Sequence, residues 1–129
     1  MLKIKFGTDG WRAIIAQEYT VQNVARVAFA TGVWLKHSHE QPVVVIGHDC
    51  RFGGPLFTEC VIKVLCGMGV KVITHHGFVS TPMVSFAVLQ YGAQQGIVIT
   101  ASHNPPSYNG FKLKGAHGGP TPPEQIAEV

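Results

Sequence analysis

Hydrophobic positions recur along this chain in two periods, and the switches between them mark out its elements. Val21, Val24, Ala25, Ala28, Thr31, Gly32 and Leu35 return every three or four residues behind Thr20. That spacing predicts a helix of about sixteen residues with Thr20 as its N-cap. Phe57, Cys60, Val61, Val64, Leu65 and Met68 give a second, cleaner stripe, opened by Pro55 and closed by Gly67 and Gly69. Residues 43–46 are a continuous β-branched run, the pattern of a strand buried on both faces, and residues 70–74 and 96–100 predict two further strands. Residues 2–6 predict an opening strand, followed by a polar turn at residues 7–10. Thr81-Pro82 predicts a capped start to a third helix that ends near Gly92. Residues 124–129 read as the opening of one more helix.

Strands and helices therefore alternate. The expected fold is α/β, a three-layer α/β/α sandwich around a mixed, mostly parallel sheet of about four to five strands. The mixed character comes from residues 111–113, a short strand carrying Lys112 and Lys114. It follows residues 96–100 after a loop stiffened by Pro105 and Pro106. Asn109-Gly110 is expected to turn with positive φ, so this strand adds antiparallel. Ligands of such sheets lie beyond the carboxyl ends of the strands. Residues 8–12, 48–51 and 101–104 all follow strands there.

Composition narrows the partners. Charged residues make up 13% of the 129, about half the ~25% usual for soluble domains. Part of the surface is thus expected to be covered by more protein. The net charge of +3 is spread without a basic run, which suits phosphate-bearing ligands and argues against nucleic acid. No apolar run of membrane-spanning length or secretory leader is visible, so no membrane partner and a reducing cytoplasm are expected. Cys50, Cys60 and Cys66 lack metal-ligand spacing, and Cys60 and Cys66 are expected to be buried thiols. His48, Cys50, His75 and His76 likewise match no zinc pattern. Trp11 and Trp34 are expected to pack rather than to bind a ligand.

The chemistry gathers in TASHNPPSYNGFKLK, residues 100–114. Ser102 stands at the end of a strand on a loop stiffened by proline. A serine hydroxyl needs a nearby base or cation to react. The GxSxG pattern of hydrolases is absent, and the ring of His103, adjacent in sequence, cannot easily turn back on Ser102. Asp9 and Asp49 are the chain's two aspartates and the only partners for a triad. The loop suits a serine that carries a phosphoryl group, with Lys112, Arg12 and Arg51 as stabilising cations. Asp49 and Arg51 could equally form a local ion pair that orders their loop.

FGTDGWRA at residues 6–13, HDCR at 48–51, STP at 80–82, the serine loop with its trailing NGFK, and GGPTP at 118–122 follow one another in the order seen in the first domain of the α-D-phosphohexomutases, which this chain resembles. The resemblance implies that Ser102 is the phosphoserine. It would give its phosphoryl group to a hexose 1-phosphate and, through a bisphosphorylated sugar, yield the 6-phosphate. Lys112 matches the general acid/base, and Arg12 a contact of the phosphate region. His103 and Asn104 match positions that shape the active loop. Thr8 of the opening loop and Arg51 are carried with them as substrate- and phosphate-binding candidates. One Mg²⁺ would touch the phosphate of Ser102 and take its carboxylates from an aspartate loop of a second domain. With two aspartates forty positions apart, this chain cannot supply that cluster. The chain is thus expected to be the phosphoserine-bearing first domain, cut near its C-terminal end. Its partners would be the hexose phosphate and the remaining domains of the same enzyme, and alone it is expected to be inactive. The alternative is a non-catalytic sugar-phosphate-binding module of the same fold.

Overall fold

The computed structural model describes residues 1–7 and 10–129; Thr8 and Asp9 lie outside them. Its elements run β1 (Trp11–Ile14), α1 (Val21–Ser38), β2 (Val43–His48), α2 (Gly54–Gly67), β3 (Lys71–Thr74), α3 (Thr81–Gln90), β4 (Gln95–Ile99), β5 (Tyr108–Gly115) and α4 (Pro123–Glu128). α1 begins behind Thr20, whose hydroxyl accepts from the Asn23 N–H at 3.2 Å and so satisfies an orphan donor of the first turn. α2 is approached through Gly53 in the left-handed conformation, with Pro55 in its first turn. α3 is capped one residue earlier than the sequence suggested. The hydroxyl of Ser80, not that of Thr81, accepts from the Met83 N–H. Pro82 then sits in the first turn, where its missing N–H has no partner to lose.

The five strands lie in the order β1-β5-β4-β2-β3. β3, β2 and β4 are parallel; β5 runs antiparallel to β4, and β1 antiparallel to β5. The sheet is mixed and flanked by helices, as expected. Two local expectations fail. Residues 2–6 form no ladder; the edge belongs to β1, just past the predicted turn, where the sequence predicts no strand. Ile4 and Phe6 instead lay their side chains on the core, with Phe6 edge-on to Phe111 at 6.4 Å. Alternating apolar residues can bury one side that way without backbone pairing.

Asn109-Gly110 is likewise no turn. Both residues are in β5, opposite Ala13 and Arg12, and neither has positive φ. The chain reverses earlier, where the Tyr108 N–H closes onto the Pro105 carbonyl at 3.0 Å. Gly110 is required by crowding: a Cβ there would stand 2.4 Å from the Thr100 carbonyl and 3.0 Å from that of Trp11.

The two faces of the sheet are built differently. α1 and α2 cover one with a core that includes Trp11, Leu35, Val61, Leu65 and Phe111. Tyr19 sits inside it, stacked on Trp11 at 4.8 Å and edge-on to Phe57 at 4.7 Å. On the other face α3 presses Val84 and Val88 onto Val45 and Val98. The expected burial of two thiols is corrected: Cys66 is exposed and Cys60 half-buried. The buried line of α2 is Phe57, Thr58, Val61 and Leu65. Cys60 falls on its flank, and Cys66, one step past Leu65, points outward. GGPTP serves the fold at the amino end of β4, where Gln95 Nε2 donates to the buried Thr121 hydroxyl at 2.7 Å.

Candidate active site

The parallel strands β2 and β4 end side by side, and their ladder continues one step as the Asp49 N–H donates to the Ile99 carbonyl at 3.2 Å. On the other side of β4 the Thr100 N–H donates to Gly110 at 3.0 Å, and Gly110 faces Arg12 across β1. Asp49, Thr100, Gly110 and Arg12 therefore form one row along the carboxyl edge. The loop of Ser102 rises from that row. Below it, Tyr19 reaches through the core so that its hydroxyl donates to the Gly110 carbonyl at 2.7 Å. Burial, together with the nearby Cys60 thiol and Asp49, pushes the Tyr19 phenol well above its ordinary value of 10.0.

Ser102 is exposed at the head of this loop. Its φ of 55° makes it, with Ala16, one of two non-glycine residues of left-handed φ among the described residues. A nucleophile candidate thus occupies a conformation that costs an L-residue about 1–2 kcal/mol. The loop is clamped by Arg51. Its Nη2 donates to the carbonyls of Ser102 at 2.7 Å and Asn104 at 2.6 Å, and its Nη1 to those of Pro105 at 2.8 Å and Tyr108 at 3.1 Å. The Arg51 Nε lies 3.6 Å from the Asp49 carboxylate, so the local ion pair is present. With both terminal nitrogens engaged by backbone carbonyls, Arg51 acts on the shape of the loop.

Arg12 meets the same loop from the opposite side, its Nη1 donating to Asn104 Oδ1 at 2.9 Å. Asn104 also braces the turn through its N–H to the Ala101 carbonyl at 3.0 Å. His103 is exposed at the tip. Lys112 faces Val98 in β5. It shares the α3 side of the sheet with Arg12, since Trp11 and Phe111 belong to the opposite core. It is no solvated strand lysine, being 5% exposed. The structure thus brings Ser102, His103, Asn104, Arg12 and Arg51 to one loop and sets Lys112 on the face beneath. Thr8 falls outside the described residues.

The sequence reading overlooked Thr100. Its hydroxyl donates to Asp49 Oδ2 and accepts from the Ser102 N–H at 3.1 Å. The available signal was a threonine two positions before the serine, the spacing at which a hydroxyl bonds a backbone N–H. β1, β4, β5 and residues 100–107 contain no acidic residue, and Asp49 is partly neutralised by Arg51. The edge accordingly favours an anion such as phosphate. A hard cation is served poorly: no three His, Cys, Asp or Glu side chains converge among the described residues, and both Asp49 oxygens already accept protein hydrogen bonds. No helix among the described residues is long and apolar enough to cross a membrane.

Comparison with known proteins agrees with this architecture. The family model described as phosphoglucomutase/phosphomannomutase, alpha/beta/alpha domain I, matches residues 3–129. The chain is 40% identical over 114 residues to a phosphoglucomutase/phosphomannomutase of Thermococcus kodakarensis, covering 88% of this chain and 25% of that protein. It is 38% identical over 124 residues to a phosphoglucosamine mutase of Geobacillus kaustophilus, covering 96% and 27%. A crystal structure from Thermus thermophilus, described provisionally as a phosphomannomutase, superposes with a TM-score of 0.94 at 44% identity, covering 97% of this chain and 28% of that one. The chain spans about a quarter of the length of the curated relatives it matches. With the family model matched from residue 3 to residue 129 and the fold shared closely with a solved relative, the chain belongs to the phosphoglucomutase/phosphomannomutase family as its α/β/α domain I.

Proposed function

We propose that Ser102 is the phosphoryl carrier of a hexose-phosphate mutase, and that this domain supplies the nucleophile for interconverting hexose 1-phosphate and hexose 6-phosphate. One observation carries the reading. Ser102 is exposed, held in a left-handed conformation, and set on a loop gripped by two arginines at a carboxyl edge without acidic neighbours in the adjoining strands. Phosphorylated Ser102 gives its phosphoryl group to the free hydroxyl of the hexose 1-phosphate: the bond from phosphorus to Ser102 Oγ breaks as a bond from phosphorus to the sugar oxygen forms, and the hydroxyl proton passes to the general base. The bisphosphorylated sugar then returns its other phosphoryl group to Ser102 Oγ; the bond from that phosphorus to its sugar oxygen breaks, and the oxygen takes up the proton.

Lys112 is assigned the proton transfer at the sugar hydroxyl, and Arg12 the phosphate, which it reaches from the strand that also positions Asn104. The side-chain Oδ1 of Asn104 accepts from Arg12, so its NH₂ is the end that meets an anion. His103 closes the tip of the loop over the sugar. Arg51, carried from the sequence as a phosphate ligand, is reassigned as the clamp of the loop. Mg²⁺ would need carboxylates from outside these residues. The 129-residue chain alone is proposed not to turn over sugar phosphates, since its relatives are about four times longer.

The test uses the longest product of the gene that carries this chain, exposed to a hexose 1,6-bisphosphate. Intact mass should rise by one phosphoryl group, mapped by fragmentation to Ser102, and Ser102→Ala should stay unmodified and lose about 10³-fold or more in mutase rate. A phosphoryl group on another residue, or an active Ser102→Ala variant, would overturn the reading. A protein that binds sugar phosphate and never becomes phosphorylated would instead be a binding module.

A further inference from the structure

A left-handed serine does not hold itself in place, and the structure contains a device that accounts for it. We propose that Thr100, oriented by Asp49, is a positioning residue that fixes the backbone of Ser102 and so aims its hydroxyl. The inference deepens the phosphoryl-carrier reading and rests on it for its consequence in catalysis.

The argument follows single hydrogen bonds. The two peptide groups of Ser102 are each held by a side chain from elsewhere: its N–H donates to Thr100 Oγ1 at 3.1 Å, and its carbonyl accepts from Arg51 Nη2 at 2.7 Å. Fixing both groups fixes φ and ψ, which is how a surrounding structure sustains a sparsely populated conformation. A threonine hydroxyl has one proton and two lone pairs. That proton goes to Asp49 Oδ2, which turns a lone pair toward the Ser102 N–H. Asp49 is itself immobilised, its Oδ1 accepting from the Arg51 N–H at 3.0 Å and its Oδ2 lying 3.6 Å from Arg51 Nε. The ring Asp49–Thr100–Ser102–Arg51 closes on itself. Thr100 is 4% exposed and stiff at χ1 by its branching, so water cannot readily replace it.

The ring predicts a pattern that lost stability alone would not give. Thr100→Val keeps the shape and removes the hydroxyl; Thr100→Ser keeps the hydroxyl. In the 129-residue chain, the three-bond HN–Hα coupling and the Cα shift of Ser102 report its φ by NMR. Wild type and Thr100→Ser should carry the positive-φ signature. Thr100→Val should lose it while the resonances of Trp11 and Tyr19 stay in place. In the longest gene product, phosphorylation of Ser102 by a hexose 1,6-bisphosphate should slow about tenfold or more in Thr100→Val, in kcat rather than KM, and recover in Thr100→Ser. Should Thr100→Val fold poorly, Asp49→Asn, which leaves the hydroxyl a weaker and neutral acceptor, should show the same two changes in smaller measure. A variant lacking the hydroxyl that keeps both the signature and the rate overturns the inference. A lost signature in a protein whose wild type never takes phosphate would leave the conformational assignment standing and fell the phosphoryl-carrier reading instead.

Discussion

The two faces of the sheet make the most instructive comparison in this molecule. On the α1/α2 side the core contains aromatic, leucine and isoleucine side chains, and the ring of Tyr19 touches those of both Trp11 and Phe57. On the α3 side the buried core residues are five valines and one alanine, and β5 carries Lys112 and Lys114 on this side, both buried. The first face holds the fold together. The second has a thinner core and carries Lys112 opposite Val98, near the carboxyl end of β4, and Lys114 opposite Gly96, toward its amino end. Tyr19 links the two, being rooted in the aromatic core and hydrogen-bonded to Gly110 in the row that carries the site.

That division breaks most visibly at Leu65, fully buried between α2 and the sheet. Leu65→Ala removes methyl groups from the core that also holds Leu35 and Val61, beside Gly32 of α1, and leaves a cavity. Urea unfolding should show a loss of about 3 kcal/mol. The geometry of Ser102 should survive below the transition. A loss under about 1 kcal/mol would mean that stability is not concentrated on this face.

A smaller effect of opposite sign is expected at Ser102. Glycine adopts φ of 55° without strain, which returns about 1–2 kcal/mol. Against this stands about 0.5–1 kcal/mol of extra chain entropy in the unfolded state. No hydrogen bond is lost, because Ser102 bonds Thr100 and Arg51 through its backbone. Ser102→Gly should thus raise stability by up to about 1 kcal/mol, while Ser102→Ala, which keeps its Cβ, should not. Stability gained by deleting the proposed nucleophile would show that the site is held against the preference of its own residue.

Much of this architecture could be read from the chain itself, and what could not has a physical reason. α1, α2 and the central strands announce themselves through apolar spacing and caps, because burial against neighbours imposes a period on the sequence. β1 was not legible. Four residues at an edge, WRAI, carry too short a pattern, and their pairing with β5 depends on a partner almost a hundred positions away. Asn109-Gly110 misled for a related reason: glycine there answers to the crowding of Thr100 and Trp11, which only the assembled sheet creates. At the site, Ser102 stood out by its loop, whereas its left-handed φ and the Thr100–Asp49 support are consequences of two chain segments meeting, residues 49–51 and 100–102.

α3 sharpens the comparison within a single helix, and with the smallest effect. It has no charged residue, and apolar side chains point both ways. Val84 and Val88, at 3% and 0% exposure, press on the sheet. Met83, Phe86 and Leu89, at 51%, 66% and 56%, face outward. Composition alone would credit Phe86 with more stability than either valine, because an aromatic ring has more apolar surface to bury. Exposure reverses that ranking, since a ring already in contact with water gains nothing from folding that a glutamine would forfeit. Phe86→Gln should therefore change the unfolding free energy by no more than about 0.5 kcal/mol, read from the urea midpoint at unchanged slope. A loss beyond about 1 kcal/mol would show that the outward ring packs within the chain, and the thin face would then be thicker than its buried valines account for.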